Sequence, residues 1–269
     1  MILTVQAKNL DPTQTTTIRK RYRQAVNARF AELKRLLNLS IEDFVIMSSI
    51  EPEAFAEWFR RESYRIILYD GELPDPTITE DTIPGDGLIF AAPILGLALL
   101  AGFRHADRHL KKKGFSPPRF DLGLLEIPNK TKFFARQSFA LMKSAIDDMV
   151  TAVKRVVTNA WLVRGGVADT LDSIRDRIDK VGRYRGRMIS VTEVVKAHAD
   201  ATLDRFEQYG IGFVTALVEF ATAQDDRVCQ ECMILSDQDN GYGAGVFTIE
   251  QARGIIPVHT RCRCGWIPA

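Results

Sequence analysis

Cysteine is absent from the first 228 positions of this 269-residue chain, and only four occur in all, at positions 229, 232, 262 and 264. A disulfide framework running through the whole fold is thereby excluded, and sulfur chemistry is confined to the C-terminal end. An excess of charge is also lacking. Thirty-six Lys and Arg stand against 34 Asp and Glu, a net charge of +2, too small for the summed field to demand a nucleic-acid partner. The uncharged stretch Leu88 to Phe103 has sixteen residues and is interrupted by Pro93 and Gly96. A membrane-spanning helix needs ~20 apolar residues, so this segment is expected to be a buried core helix. Met1 to Leu10 carries no secretory pattern, and synthesis and retention in a cytoplasm are expected. There is no phosphate-binding glycine fingerprint, nucleophile elbow or His-Glu metalloprotease pattern.

What is present describes a folded chain. Hydrophobic residues make up 46% and charged residues 26%, which excludes intrinsic disorder. At ~150 residues per domain the length fits one or two domains. Charge is blocked rather than scattered. Arg19 to Arg35 holds seven basic residues against Glu32; Glu42 to Asp81 holds eleven acids against three arginines. Arg104 to Arg119 and Arg175 to Arg187 each hold six Lys or Arg. Such runs are usually solvated helix faces. The functional alternative is contact with the DNA backbone through Arg19, Lys20, Arg21, Arg23, Lys111, Lys112, Lys113, Arg183, Arg185 and Arg187, without sequence preference because phosphates carry no base information.

The hydrophobic pattern is helical for most of the chain. After Asp11-Pro12-Thr13, the residues Ile18, Tyr22, Val26, Phe30, Leu33 and Leu37 recur at helical spacing. Glu51-Pro52-Glu53 opens a second helix carrying Phe55, Trp58, Phe59, Ile66 and Ile67, which stops at Asp70-Gly71. Five prolines and glycines between Glu72 and Gly87 predict a long loop. Lys111-Lys112-Lys113-Gly114 predicts a helix end, and Pro117, Pro118 and Pro128 mark a linker. From Thr131, the residues Phe139, Met142, Ile146, Met149, Val153, Val156 and Ala160 form a heptad seam that must meet another helix, with Lys143, Asp147, Lys154 and Arg155 off it and wet. Gly165-Gly166 breaks that helix. Val167 to Ile178 predicts a shorter one, and Ser190 to Tyr209 a separate one opened by a Ser190/Glu193 capping box. Past Gly210 the period becomes two: Val214, Ala216, Val218 and Phe220 alternate with Thr215 and Glu219.

These readings predict an α+β protein. Its N-terminal two-thirds are mostly helical with a long helical arm, and a small β-containing C-terminal module is stapled by a Cys/His cluster. The expected segments are 1–130, an N-terminal helical domain; 131–210, the arm; and 211–269, the module.

The module carries the strongest chemical signal. Cys229-x2-Cys232 has the spacing of one zinc-knuckle turn, in which two sulfurs reach one ion while backbone amides donate to them. His259-x2-Cys262-x-Cys264 supplies three more donors. A tetrahedral ion needs four ligands and five are present, so either His259 or Cys264 completes a set with Cys229, Cys232 and Cys262. Structural zinc is the expected cofactor, since a thiolate-filled shell leaves no position for a reacting water. Two disulfides are the alternative, which a reducing cytoplasm disfavours. His259 has a second reading as a group hydrogen-bonded to a ligand. Asp225-Asp226 is expected to form an Asx turn.

The run Glu219 to Cys232, Glu-Phe-Ala-Thr-Ala-Gln-Asp-Asp-Arg-Val-Cys-Gln-Glu-Cys, followed by Pro257-Val258-His259-Thr260-Arg261-Cys262-Arg263-Cys264, resembles the C-terminal signature of Mu F-like phage minor head proteins. Val191-Thr192-Glu193 stands where that family has a Thr-Glu helix, and Asp11-Pro12-Thr13 with its basic helix resembles the start of many members. The resemblance implies a non-enzymatic virion component, made in the host cytoplasm and incorporated inside the capsid near the portal vertex. It would assist head morphogenesis and DNA packaging or ejection, with the portal protein and other head proteins as partners, and no membrane. Some relatives carry toxin or enzyme domains after the signature; five residues follow Cys264 here, so none is expected. The alternatives are a metal-dependent nuclease or transferase using Glu193, Asp225, Asp226 and His259 around the ion, and a zinc-stabilised DNA-binding module.

Overall fold

The computed structural model describes residues 11–37, 51–69, 90–116, 127–210 and 217–269. Among the described residues five long helices precede a small sheet: α1 (Thr16–Leu36), α2 (Pro52–Ile67), α3 (Ala92–Lys112), α4 (Ile127–Val163) and α5 (Val167–Gly210). Then come β1 (Leu217–Ala221), α6 (Gln230–Asp237), β2 (Val246–Thr248), α7 (Ile249–Ala252) and β3 (Gly265–Pro268). The protein is thus a mostly helical α+β chain with a three-stranded antiparallel sheet at its C-terminal end. Among the described residues no helix is long and apolar enough to cross a membrane. The predicted loop from Glu72 to Gly87, the Asp70-Gly71 helix stop, Pro117, Pro118, Val214 and Ala216 lie outside the described residues.

Contacts divide the chain differently from the three consecutive segments expected from sequence. One unit comprises residues 1–20, 93–131 and 190–269; the other comprises 21–92 and 132–189. The physical reason is the length of the helices: α1, α4 and α5 each contribute residues to both units.

The second unit is all helical. Tyr22, Val26, Phe30 and Leu33 of α1 are buried in the predicted periodicity, as are Phe55, Phe59, Ile66 and Ile67 of α2. On α4 the buried stripe runs through Phe139, Met142, Ile146, Met149 and Val153 but ends on Val157, with Val156 and Ala160 only half-buried. A strict seven-residue seam drifts around a straight helix of 3.6 residues per turn. The flank is not wholly wet either: Asp147 accepts from Lys143 at 3.0 Å and from the Tyr64 hydroxyl, and Lys154 pairs with Glu53 at 2.9 Å.

Two sequence-predicted boundaries are corrected. Pro128 lies in the first turn of α4 rather than in a linker, a position where the missing N–H costs no helical hydrogen bond. The break expected between Ile178 and Ser190 is absent: α5 is one helix of 44 residues, and Ser190 is fully buried within it. Gly182 and Gly186, which lie inside the helix, admit α1. A Cβ on Gly182 would stand 2.8 Å from Phe30 Cγ, and one on Gly186 2.6 Å from Val26 Cγ1.

In the first unit α3 lies against the C-terminal half of α5. A Cβ on Gly102 would collide with the His198 carbonyl oxygen and stand 2.9 Å from Ala201 Cβ. At this crossing Thr202 donates to the His198 carbonyl at 2.8 Å. Helix α3 ends as its sequence predicts, with Gly114 at φ 86° and the Phe115 amide donating to the Leu110 carbonyl at 3.0 Å. The sheet has the order β2-β1-β3, with Val218 opposite Phe247 and Phe220 opposite Trp266. Val218 and Phe220 are buried and Glu219 is exposed, the period-two alternation of a half-covered strand.

Gly102→Ala is expected to destabilise the protein by about 1–3 kcal/mol through overpacking, although Ala is the better helix former by about 1 kcal/mol. Gly96→Ala is the control, since its Cβ would meet only Thr131 Oγ1 at 3.6 Å. Thermal melting of both variants tests the crossing; equal melting temperatures would place α3 elsewhere.

Candidate metal centre

Three sulfurs occupy the core of the first unit. Cys232, Cys262 and Cys264 are buried in one cluster with Trp266, Phe220, Phe247, Leu203 and Phe206. Trp266 makes edge-to-face contacts with Phe220 and Phe247, with ring centroids 5.5 and 5.6 Å away. The polypeptide brings the sulfurs together by two tight turns. Cys229 caps the N-terminus of α6, and its Sγ accepts the Cys232 amide at 3.4 Å. The Cys262 amide donates to the His259 carbonyl at 3.1 Å, closing the second turn.

Two groups of donors result. Cys229, Cys232 and His259 form one, and Cys232, Cys262 and Cys264 the other; within each, the ligand atoms lie within 4.8 Å of one another. All five sequence-predicted donors belong to these groups, which share Cys232 and could hold a metal ion. All four cysteines are free thiols. The His259 Nδ1 lies 2.8 Å from the Thr260 carbonyl. A carbonyl only accepts, so Nδ1 carries the proton and Nε2 keeps its lone pair for a metal.

The thiols bear on one another. A hydrogen bond from Cys264 holds the Cys262 thiol below its ordinary pKa. The same bond raises Cys264, while burial and the neighbouring Cys262 charge raise Cys232. One negative charge is thus accommodated in the metal-free cluster and a second is opposed. A divalent cation reverses that opposition, because each thiolate then faces a positive charge.

Acidic residues do not join this centre. Asp225 forms the expected Asx turn, accepting the Arg227 amide at 3.1 Å, and its carboxylate receives both Arg263 nitrogens at 2.7 and 2.6 Å. That bidentate pairing holds its pKa well below the carboxylate range. Glu193 is buried on α5 and only 2% exposed. Among the described residues, neither donor group contains Glu193, Asp225 or Asp226.

The basic candidates divide. Arg19 pairs with Asp11, Arg185 with Asp148 at 2.9 Å, and Arg183 donates to the Asp179 carbonyl at 3.2 Å. With only 11% of its side chain exposed, Arg19 is committed to the fold rather than to phosphate. Lys20, Arg21, Lys111, Lys112, Lys113 and Arg187 are exposed, and Arg23 is half-buried.

Sequence reasoning missed a histidine cluster beside the centre. His105 and His109, one turn apart on α3, have ring centroids 4.5 Å apart, and His198 of α5 lies 5.2 Å from His105. The available signal was the i,i+4 spacing on α3. His105 Nε2 donates to the Trp266 carbonyl at 3.1 Å, which ties α3 to β3. His198 is fully buried, and among the described residues neither of its ring nitrogens has a hydrogen-bond partner. Burial holds both imidazoles neutral, and the charges of His109, Arg108, Lys112 and Arg19 act in the same direction.

The chain matches no protein-family model, no curated protein and no solved structure.

Burial lowers the His105 pKa from 6.5 to about 4. The unfolded state therefore binds the proton more tightly, and the stabilisation is complete above pH 6.5 and lost as pH falls toward 4. Denaturant melts across this window should show stability declining, with a shallower slope in His105→Gln, whose amide keeps a donor for the Trp266 carbonyl without titrating. Identical slopes would remove the histidine from the acid response.

Proposed function

We propose that this chain is a minor head protein of a phage, incorporated during prohead assembly near the portal vertex and stabilised by one structural zinc ion. The observation that supports the reading is that the Asp11-Pro12-Thr13 turn, Val191-Thr192-Glu193 and the Cys/His signature, drawn from both ends of the sequence, belong to one structural unit. Pro12 and Thr13 lie under β3, with Thr13 Cγ2 3.6 Å and Pro12 Cβ 3.8 Å from where a Cβ on Gly265 would stand. Asp11 holds Arg19, and Asp225 holds Arg263 between two cysteine ligands. The Cys/His donors adjoin the strand that the Asp11-Pro12-Thr13 turn covers.

In this reading the protein acts by binding rather than by catalysis. Its partners are the portal protein and other head proteins, and the exposed residues Lys20, Lys111 and Lys112 are available to the genome's phosphates, whereas Lys113 donates to the Ala269 oxygen. It is made in the host cytoplasm and ends in the capsid interior, where it serves DNA packaging or ejection. Zinc suits the donor set because thiolates and one imidazole are its preferred tetrahedral ligands. A filled shell holds structure and leaves no position for a reacting water.

Mass spectrometry of purified particles and of portal-bound assemblies should find the protein; absence from both overturns the head reading. Elemental analysis of the full chain should find about one zinc per molecule, lost when Cys229 and Cys232 are both replaced by Ser. Full stability after complete metal removal would overturn the zinc assignment separately.

A further inference from the structure

Helix α6 turns Cys232 into the core and presents the other side of its short length to solvent. Met233 is 48% exposed and Ile234 58% exposed, while Leu235 packs partly against the core. The loop after α6 carries a third large exposed side chain, Tyr242, at 50%. This loop is fixed to the end of α6. The Gly245 amide donates to the Gln238 carbonyl at 2.8 Å, and a Cβ on Gly245 would stand 2.7 Å from the Ser236 carbonyl oxygen. Asp239 holds the loop from within, accepting the Gly241 and Gly243 amides at 2.8 and 3.0 Å. The helix and the loop therefore make a preorganised surface, which lowers the ordering cost of binding.

The segment that forms this surface carries charge of one sign. From Val228 to Ala252 the sequence contains no Lys, Arg or His, and four acids, Glu231, Asp237, Asp239 and Glu250, all of which are exposed. Among the described residues Glu231, Asp237 and Asp239 have no cationic partner. Exposed apolar side chains rimmed by charge mark interaction sites, and Met and Tyr are enriched at the centres of protein interfaces. The sign selects the partner: phosphate and anionic lipid are repelled, and Lys or Arg side chains are attracted.

We propose that the α6 face and its glycine loop form a docking surface for a basic amphipathic segment of another protein, with Met233, Ile234 and Tyr242 taking its apolar side and Glu231 and Asp237 its cations. The surface is distinct from the metal donors and stands whether or not the chain belongs to a phage head.

The test uses the full chain and a fluorescent amphipathic helix of leucine and lysine, compared with the same peptide carrying glutamate in place of lysine. Anisotropy should show the lysine peptide binding in a salt-dependent manner and the glutamate peptide at least about tenfold more weakly. Met233→Ser with Ile234→Ser should weaken lysine-peptide binding about tenfold. Asp237→Lys should weaken it by a different route, leaving the apolar contacts in place. Hydrogen exchange in the complex should slow in residues 230–245. Equal binding of both peptides, unchanged affinity in both variants, or protection confined to another part of the chain would each overturn the proposal.

Discussion

The core of the first unit is built around three sulfurs that are removed from water together. Cys232, Cys262 and Cys264 share a core with Trp266, Phe220 and Phe247, and that core also receives α3 and α5. Burial makes each thiol a small hydrophobe, and the hydrogen bond from Cys264 lowers the pKa of Cys262. Charge in such a place is costly unless compensated. A metal ion held by these donors would supply that compensation, and the packing of two long helices would then rest on the same atoms as the metal.

The connections radiating from this core are polar and specific. His105 joins α3 to β3 through the Trp266 carbonyl, and Arg205 of α5 is held by Asp107 of α3 at 2.7 Å while only 3% exposed. Arg253, beside α7, reaches Asp204 of α5 at 3.1 Å. Lys130 at the start of α4 pairs with Asp200 at 2.7 Å and with Asp204. Hydrogen-bonded ion pairs of low exposure fix register more than they add stability. Here they set α3, α5 and the sheet in one arrangement around the sulfurs.

The other unit relies on close approach of helices at glycine. Gly182 and Gly186 are poor helix formers, yet they sit inside the longest helix of the chain because α1 occupies the space their side chains would fill. Here tertiary packing outweighs local preference. The same competition explains Gly102 on α3, where a carbonyl oxygen of the partner helix takes the place of a Cβ.

The sequence by itself determined the helices with clean periodicity, the α3 cap at Gly114, the alternation of β1, and the five Cys and His residues that gather into the two groups able to hold a metal ion. Each of these signals is local, set by spacing within a few residues. Only the tertiary structure decided that α5 is continuous through Gly182, Gly186 and Ser190, that Val157 rather than Val156 closes the α4 stripe, and that Arg19 serves Asp11 instead of phosphate. It alone joined Asp11-Pro12-Thr13 to Gly265 and gathered His105, His109 and His198. Those outcomes rest on which residues distant in sequence come to share a volume, and no periodicity within one segment records what will fill the space beside it.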